Sequence, residues 1–436
     1  MSITRSGPAL IALTLPLLLT GCGSNGDAQV RLLNASAGYA ALDVDFDKSG
    51  SSTNSAQISD VASGSISGYT AVSPDTYTVY FTSHGVAQAN ALSSTSESFS
   101  NSEHRTYVAY GDSGSFGELE IDEDQGSPGN GQANVEVLDA DPDAGSLDVY
   151  LTSAGLPLND ASPNFTAVKG GSSTGFTVIT DGTYELRITG TGKKSDLRFD
   201  VPGITLSNQE TVSLIITESP GGYLVSVIAL PQRGSLTTYT NPDARVRGVI
   251  GLSSGTSITA SVGGTALVSA APATAVGTYE LVPAGSQSVA LTVDGTSVSQ
   301  PGTTLVAGQD YTFLVYGSAS SPKAAWLEDE NIPPLSGYSS VRLVNADSAS
   351  GDPMSLSIDF MPVASDIPLG GDVPSGSPSG TSAYDTQVTA TTTATVTVTD
   401  YANSQTLFTQ TAATLGSQDV YTMFMFGSAA VLTQDR

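Results

Sequence analysis

The histidine and cysteine side chains that could do nucleophilic or zinc chemistry are few in this 436-residue chain: two histidines, His84 and His104, and one cysteine, Cys22. His84 precedes Gly85 at the tip of an expected hairpin, and His104 stands in a polar run ahead of a strand, so both read as solvated. A Ser-His-Asp triad needs a histidine between nucleophile and acid, and zinc needs three or four N or S ligands. The chain cannot easily supply the zinc ligands, and a triad would rest on the first quarter of the chain alone. Glycoside hydrolysis needs only two carboxylates, which a count of 42 acids does not exclude, yet no pair is marked out. Phosphate-loop and dinucleotide patterns are absent from any strand-to-helix setting. The expectation is therefore no catalytic residues, no enzyme activity and no cofactor.

The acids are the remaining candidate metal ligands. Asp43, Asp45 and Asp47 have the spacing that opens an EF-hand loop, which then requires Gly at position six and Glu at twelve. Lys48 and Asn54 stand there instead. The same spacing marks a strand with one wet face, and Asp148 and Asp359 recur in the matching strands. Asp139, Asp141 and Asp143 are the better cation candidates, because turn carboxylates can converge on one ion. Aspartate also favours turns by bonding its own backbone, so no metal site is assigned. For ligand binding the candidate is Trp326, alone of its kind, because flat aromatic faces stack on sugars. A tryptophan that ends a strand also closes a core.

What must position these residues is a repeated element. Residues 29–46 (QVRLLNASAGYAALDVDF), 134–150 (NVEVLDADPDAGSLDVY), 244–260 (ARVRGVIGLSSGTSITA) and 339–360 (SSVRLVNADSASGDPMSLSIDF) each run strand, polar turn, alternating strand. The steps from Val30 to Val135, Val246 and Val341 are 105, 111 and 95 residues, the size of a small domain. A second match fixes the phase: residues 311–318 (YTFLVYGS) align with 421–428 (YTMFMFGS), and 106–111 (TYVAYG) is a shorter version. Strands rich in Val, Thr, Tyr and Phe with frequent turns argue for antiparallel sandwiches. The predicted fold is all-β: four tandem immunoglobulin-like antiparallel β-sandwich domains at 29–121, 132–233, 244–328 and 338–436.

Between them lie segments that read as linkers: 122–131 (DEDQGSPGNG), 234–243 and 329–337 (DENIPPLSG), acidic, Gly-rich or stiffened by Pro333-Pro334. Residues 362–382 read as a mobile loop inserted in the last repeat. Lys and Arg total 15 against 42 acids, a formal charge of −27. Such a surface repels phosphate backbones, so nucleic acid is not an expected partner. With acidic junctions and no apolar segment left over, the expectation is an extended, jointed monomer reaching on the order of 140 Å.

At the N-terminus, Arg5 and the apolar run 9–19, broken by Pro16, suit a signal peptide (residues 1–21) better than a membrane-spanning helix. Leu19-Thr20-Gly21-Cys22 resembles the bacterial lipobox, which implies cleavage before Cys22 and its acylation, followed by a short tether at 22–28. Gly23 after the cysteine implies the outer membrane, through a further resemblance to enteric lipoproteins. The opening V-R-L-x-N-A-[SD] of residues 30–36 and 341–347, the L-D-V strands at 42–44 and 147–149, and the turn-then-T-Y strands at 74–79 and 181–186 resemble the domain of unknown function 4397. Repeat three departs at Gly248 and Ile250 and is the weakest fit. The resemblance implies exported, often lipid-anchored β domains and carries over no catalytic residues. The functional expectation is a lipid-anchored envelope protein with a structural, adhesion or spacer role, in contact with another envelope protein or a polysaccharide. The alternative is a polysaccharide-binding surface lipoprotein.

Overall fold

The structure, a computed structural model, describes residues 26–48, 56–255, 257–378, 380–384 and 386–436. The expected signal peptide, Cys22 and most of the tether lie outside the described residues. The described chain is all-β, and its helical elements are three 3₁₀ turns of three residues each.

Residues 28–122 show how the sequence makes its sheets. The opening strand Ala28–Asn34 pairs with His104–Tyr110, which pairs with Gly117–Asp122. The facing sheet runs Ala56–Ala62, Ala41–Lys48, Thr76–Ser83, Ser93–Ser98. Side chains alternate across a strand, so Val30 and Leu32 of one sheet meet Val44, Phe46, Val79 and Phe81 of the other in a single core. The same plan recurs around three further cores, drawn from residues 133–229, 244–315 and 341–425. Pairing is antiparallel except that each opening strand runs parallel to the penultimate strand of its repeat: Ala28–Asn34 with His104–Tyr110, Gln132–Asp139 with Thr211–Glu218, Asp243–Leu252 with Asp310–Ser318, and Tyr338–Asn345 with Val420–Phe426.

Each facing sheet carries a bulge at the same place. The register slips between Leu42 and Val44, Leu147 and Val149, Ile258 and Ala260, and Met354 and Leu356. Opposite each slip stands a non-glycine residue at positive φ: Asp60 (57°), Ala167 (51°), Ala270 (49°) and Asp366 (57°). In repeats one to three the side chain at the slip accepts from that residue's amide: Asp43 from Asp60 at 2.7 Å, Asp148 from Ala167 at 2.9 Å, Thr259 from Ala270 at 3.1 Å. The wet-face reading of Asp43, Asp45 and Asp148 is corrected here, since all three are nearly buried. Asp43 and Asp148 satisfy amides that the bulge removes from the ladder.

The repeats do not form a bead string. The outward faces of the opening and penultimate strands pack on one another: Leu33 and Val108 against Leu138 and Ile215, and Val249 and Leu314 against Val344 and Phe424. The segments read as linkers are pinned inside these junctions. Glu123, Asp329 and Asn331 are all buried. The Asn331 N–H donates to Gly221 O at 3.1 Å, and the Gly221 N–H in turn donates to Gly308 O at 3.0 Å, tying the second repeat to the third. Arg436 donates to Asn331 O at 2.9 Å and to the carbonyl of Asp143, which brings the fourth repeat onto the second. The extended-chain expectation fails because acids in short connections read as solvated when they are in fact the partners of buried arginines. The insertion is likewise anchored. It begins as the strand Met361–Ile367, and Asp372 beyond it bonds Arg342 at 3.0 Å.

Candidate functional site

The predicted site residues fall into separate places. Asp141 caps a 3₁₀ turn, its Oδ1 accepting from Asp143 at 3.1 Å and Ala144 at 3.0 Å, while Asp139 Oδ1 accepts from Asp141 at 3.0 Å. Asp347 makes the same turn in the fourth repeat, accepting from Ala349 at 2.9 Å. One oxygen of each of Asp139 and Asp141 is thus used by the chain's own backbone. Among the described residues no group of three or more His, Cys, Asp or Glu side chains is disposed to hold a metal ion. Trp326 is half-buried on the core of the third repeat, its ring 4.8 Å from Phe313 and 6.1 Å edge-on from Tyr311.

The histidines are engaged with acids. His84 Nδ1 donates to Asp43 at 2.9 Å, and this bond raises the imidazole's affinity for its proton. Burial alone would raise the Asp43 carboxyl, but the Asp60 amide and His84 hold it below its usual range. His104 Nδ1 lies 3.2 Å from Asp124, with its ring edge-on to Tyr69. Both pairs brace the first repeat.

The chemistry that sequence reasoning missed lies one residue after each marker valine. Arg31, Glu136, Arg247 and Arg342 follow Val30, Val135, Val246 and Val341, and the strand period turns them away from their own cores. All four are buried. Arg247 Nε donates to Thr312 of its own sheet at 2.8 Å, and its Nη2 to Thr422 of the facing sheet at 3.2 Å. Arg342 reciprocates, Nε to Thr422 at 2.9 Å and Nη2 to Thr312 at 3.4 Å. Asp329, the last residue of the strand Ser321–Asp329, and Asp435, just after the strand Ala429–Gln434, close the network against Arg342 and Arg247. Burial would raise Asp329, but Arg342, Arg247, Thr312 and Tyr279 together hold it below the ordinary carboxylate range. Arg31 makes the smaller version, bonding Thr106 at 2.9 Å, Glu123, and Gly234 O at 2.7 Å. Its counterpart Glu136 accepts from Ser213 at 2.6 Å and Ser173 at 3.0 Å.

At the meeting point of repeats one, two and four, Asp112 and Glu218 share a hydrogen bond beside Asp141, Asp143 and Arg436. Burial, then Asp112, Asp141 and Asp143, raise the Glu218 carboxyl to about 9, so at neutral pH a proton stays in this junction.

The open hollows of the fourth repeat lie along the strand Met361–Ile367. Two adjoin, of about 260 and 350 Å³, sharing Pro362, Ala364 and Ser365. The second is floored by Ser355, Ser357 and Thr399 and edged by the half-exposed Tyr401. The hairpin entering this strand turns through Asp359 (φ 48°) and Phe360 (φ 68°), and Phe360 is 94% exposed. The equivalent turn of the third repeat is Gly263-Gly264, the residue type that positive φ at both centres calls for.

Comparison with known proteins places the chain in a family. No curated protein matches it. Among solved structures, CBMbc, a family CBM26 module from Eubacterium rectale Amy13K in complex with maltoheptaose, aligns over 48% of this chain and 96% of its own. It does so at 12% identity and a TM-score of 0.16, and at that score the likeness says nothing of a ligand. The model of the Domain of unknown function (DUF4397) matches residues 28–150 and 244–352, just over half of the chain. Each match starts at an opening strand and runs on through the opening strand of the next repeat. The third repeat, expected to fit worst, is covered in full, so Gly248 and Ile250 do not take it outside the pattern. The chain belongs to the DUF4397 family.

Proposed function

We propose that the protein is a non-catalytic contact protein, lipid-anchored through Cys22 to the bacterial outer membrane. Its four sandwich domains, divided as the repeats read, act as one stiff monomeric body toward an envelope protein or a polysaccharide. The observation that supports this reading is the use of the repeats' outward sheet faces. The arginine network and the apolar residues beside it join neighbouring domains by surfaces that would otherwise be free, which suits a body that holds a surface at a fixed distance. The histidines are bound into bracing pairs with Asp43 and Asp124, which supports a role without hydrolysis. Several acyl chains on Cys22 would anchor durably, at about 0.8 kcal/mol per buried CH₂.

Cell fractionation of the Cys22→Ser variant tests the reading. The expected result is release from the membrane fraction and loss of the acyl mass. A variant that stays in the membrane fraction with unchanged mass overturns the anchored reading.

A further inference from the structure

We propose that the groove along Met361–Ile367 in the fourth repeat, with Phe360 in the turn that opens this strand and Tyr401 at the groove's side, binds a neutral polysaccharide chain. The inference rests on the reading of the protein as a non-catalytic contact protein and names the partner class of one surface. Three observations carry it. The first is strain joined to exposure. Phe360 holds a left-handed backbone conformation that the matching turn of the third repeat gives to glycine, and yet its ring is 94% exposed. A bulky residue in that conformation is disfavoured, and nothing in the fold's own packing uses the ring, so the residue is explained by something outside the chain. Met361, 59% exposed, and Tyr401, 51% exposed, are further exposed apolar side chains on the same repeat.

The second observation is the floor. Ser355 and Ser357 pair across the sheet with Thr399 and Thr397, which lays hydroxyls in register on the outward face. Hydroxyls both donate and accept, which matches the mixed donor and acceptor pattern of a sugar ring, whereas aromatic rings at the margin fit its C–H faces. The third is charge. Neither hollow is lined by Lys, Arg or His. Its two carboxylates are already occupied, Asp372 by Arg342 and Asp400 Oδ1 by the amides of Ala402 and Asn403. With a formal charge of −27 over the chain, an anionic polymer is repelled and a neutral one is not. From the Ser355–Thr399 pair to the Ile358 end of the strand is three steps of about 3.4 Å, so the groove takes a few sugar units of an extended chain.

Affinity electrophoresis of the full chain in detergent tests the proposal, using gels containing soluble starch, xylan, galactomannan or mixed-linkage β-glucan, with alginate as the anionic comparison. At least one neutral polymer should retard the protein and alginate should not. Tyr401→Ala and Phe360→Gly should each weaken retardation at least tenfold. Leu335→Ser, at another exposed apolar site, should leave it unchanged. Phe360→Gly should also melt at the same temperature or higher, because glycine relieves the turn, so its loss of binding cannot be ascribed to unfolding. No retardation by any neutral polymer overturns the proposal, as does equal retardation of wild type and both aromatic variants, or equal retardation by alginate. None of these outcomes moves the fractionation of Cys22→Ser, so failure of the glycan site is distinguishable from failure of the anchored-contact reading.

Discussion

At position 139 the chain places an acid where repeats one and four place an amide. Asn34 and Asn345 stand four residues after their marker valines, as Asp139 does. Their Oδ1 atoms accept from the amide two residues on, at 3.2 Å in Asn34 and 3.1 Å in Asn345, and Asp139 Oδ1 does the same at 3.0 Å. The difference is the second atom. Asn34 Nδ2 donates to Tyr39 O and Val61 O, and Asn345 Nδ2 to Asp352 O and Ile367 O, whereas Asp139 Oδ2 is buried without a partner. A carboxylate cannot donate, so burial raises Asp139 to about 8 and keeps it protonated at neutral pH. Its unfolded-state value is near 3.9. The stability is therefore fully present below pH 4 and is lost progressively as pH rises to about 8. Asp139→Asn should be neutral near pH 4 and increasingly stabilising up to pH 8, by on the order of a few kcal/mol at about 1.4 kcal/mol per unit. Urea midpoints at pH 4.5 and 8.5 check it, and an equal gain at both would refute the titration. The sequence shows the Asp-rich turn plainly. It does not show that the slot is an amide slot, because only the folded loop supplies the carbonyls.

Sequence patterns reach the sheets with little loss at the scale of elements. The V-R-L runs at 30–32 and 341–343 and the aligned runs at 311–318 and 421–428 give strands, their phase and their inward residues, because a strand's period of two is visible in the chain itself. The burial of the outward face was illegible for a physical reason: Arg, Glu and Thr at alternate positions look like a solvated side. A signal was present in the residue beyond. Leu33, Leu138, Val249 and Val344 are apolar outward positions, which makes the opening strands of repeats one, two and four read apolar in three places of four, as strands covered on both faces do. The arginines between them then need buried partners. Truncating Arg342 to Met leaves Asp329 charged and short of its principal cation, and breaking a buried pair this way costs about 3–5 kcal/mol. By contrast, Lys48→Met, which breaks a pair with both side chains more than two-fifths exposed, should leave the midpoint where it was. Denaturant unfolding of the two variants side by side makes the comparison, and equal effects would show that the Arg342 network carries no special weight.

Contacts across the whole molecule reverse the expected outline. Four domains in line, each with a radius of gyration near 13 Å and spaced by about 35 Å, would give a value of about 40 Å. With Leu33 and Val108 packed on Leu138 and Ile215, Val249 on Val344, and Arg436 on Asp143, small-angle scattering should give about 30 Å or less. A value near 40 Å would mean the junctions open in solution. The proton held between Asp112 and Glu218 ties this outline to pH. Glu218 titrates at about 9 in the folded chain, so its share of stability is present below about pH 4 and is lost as pH rises to 9. The same scattering experiment at pH 6 and pH 10 should show the larger dimension at pH 10.

The reciprocity of the Arg247 and Arg342 bonds has an ancestral reading. Each arginine reaches its own sheet's threonine and then the other's, which is the arrangement two identical subunits make across a two-fold axis. Tandem duplication would have fused such a homodimer into one polypeptide. A free-standing protein with a single repeat, bearing the same opening V-R-L strand and a threonine on its penultimate strand, would then present the same face with nothing on it. It is expected to self-associate through that face, and analytical ultracentrifugation of such a protein would find a dimer that an arginine-to-glutamate change dissolves.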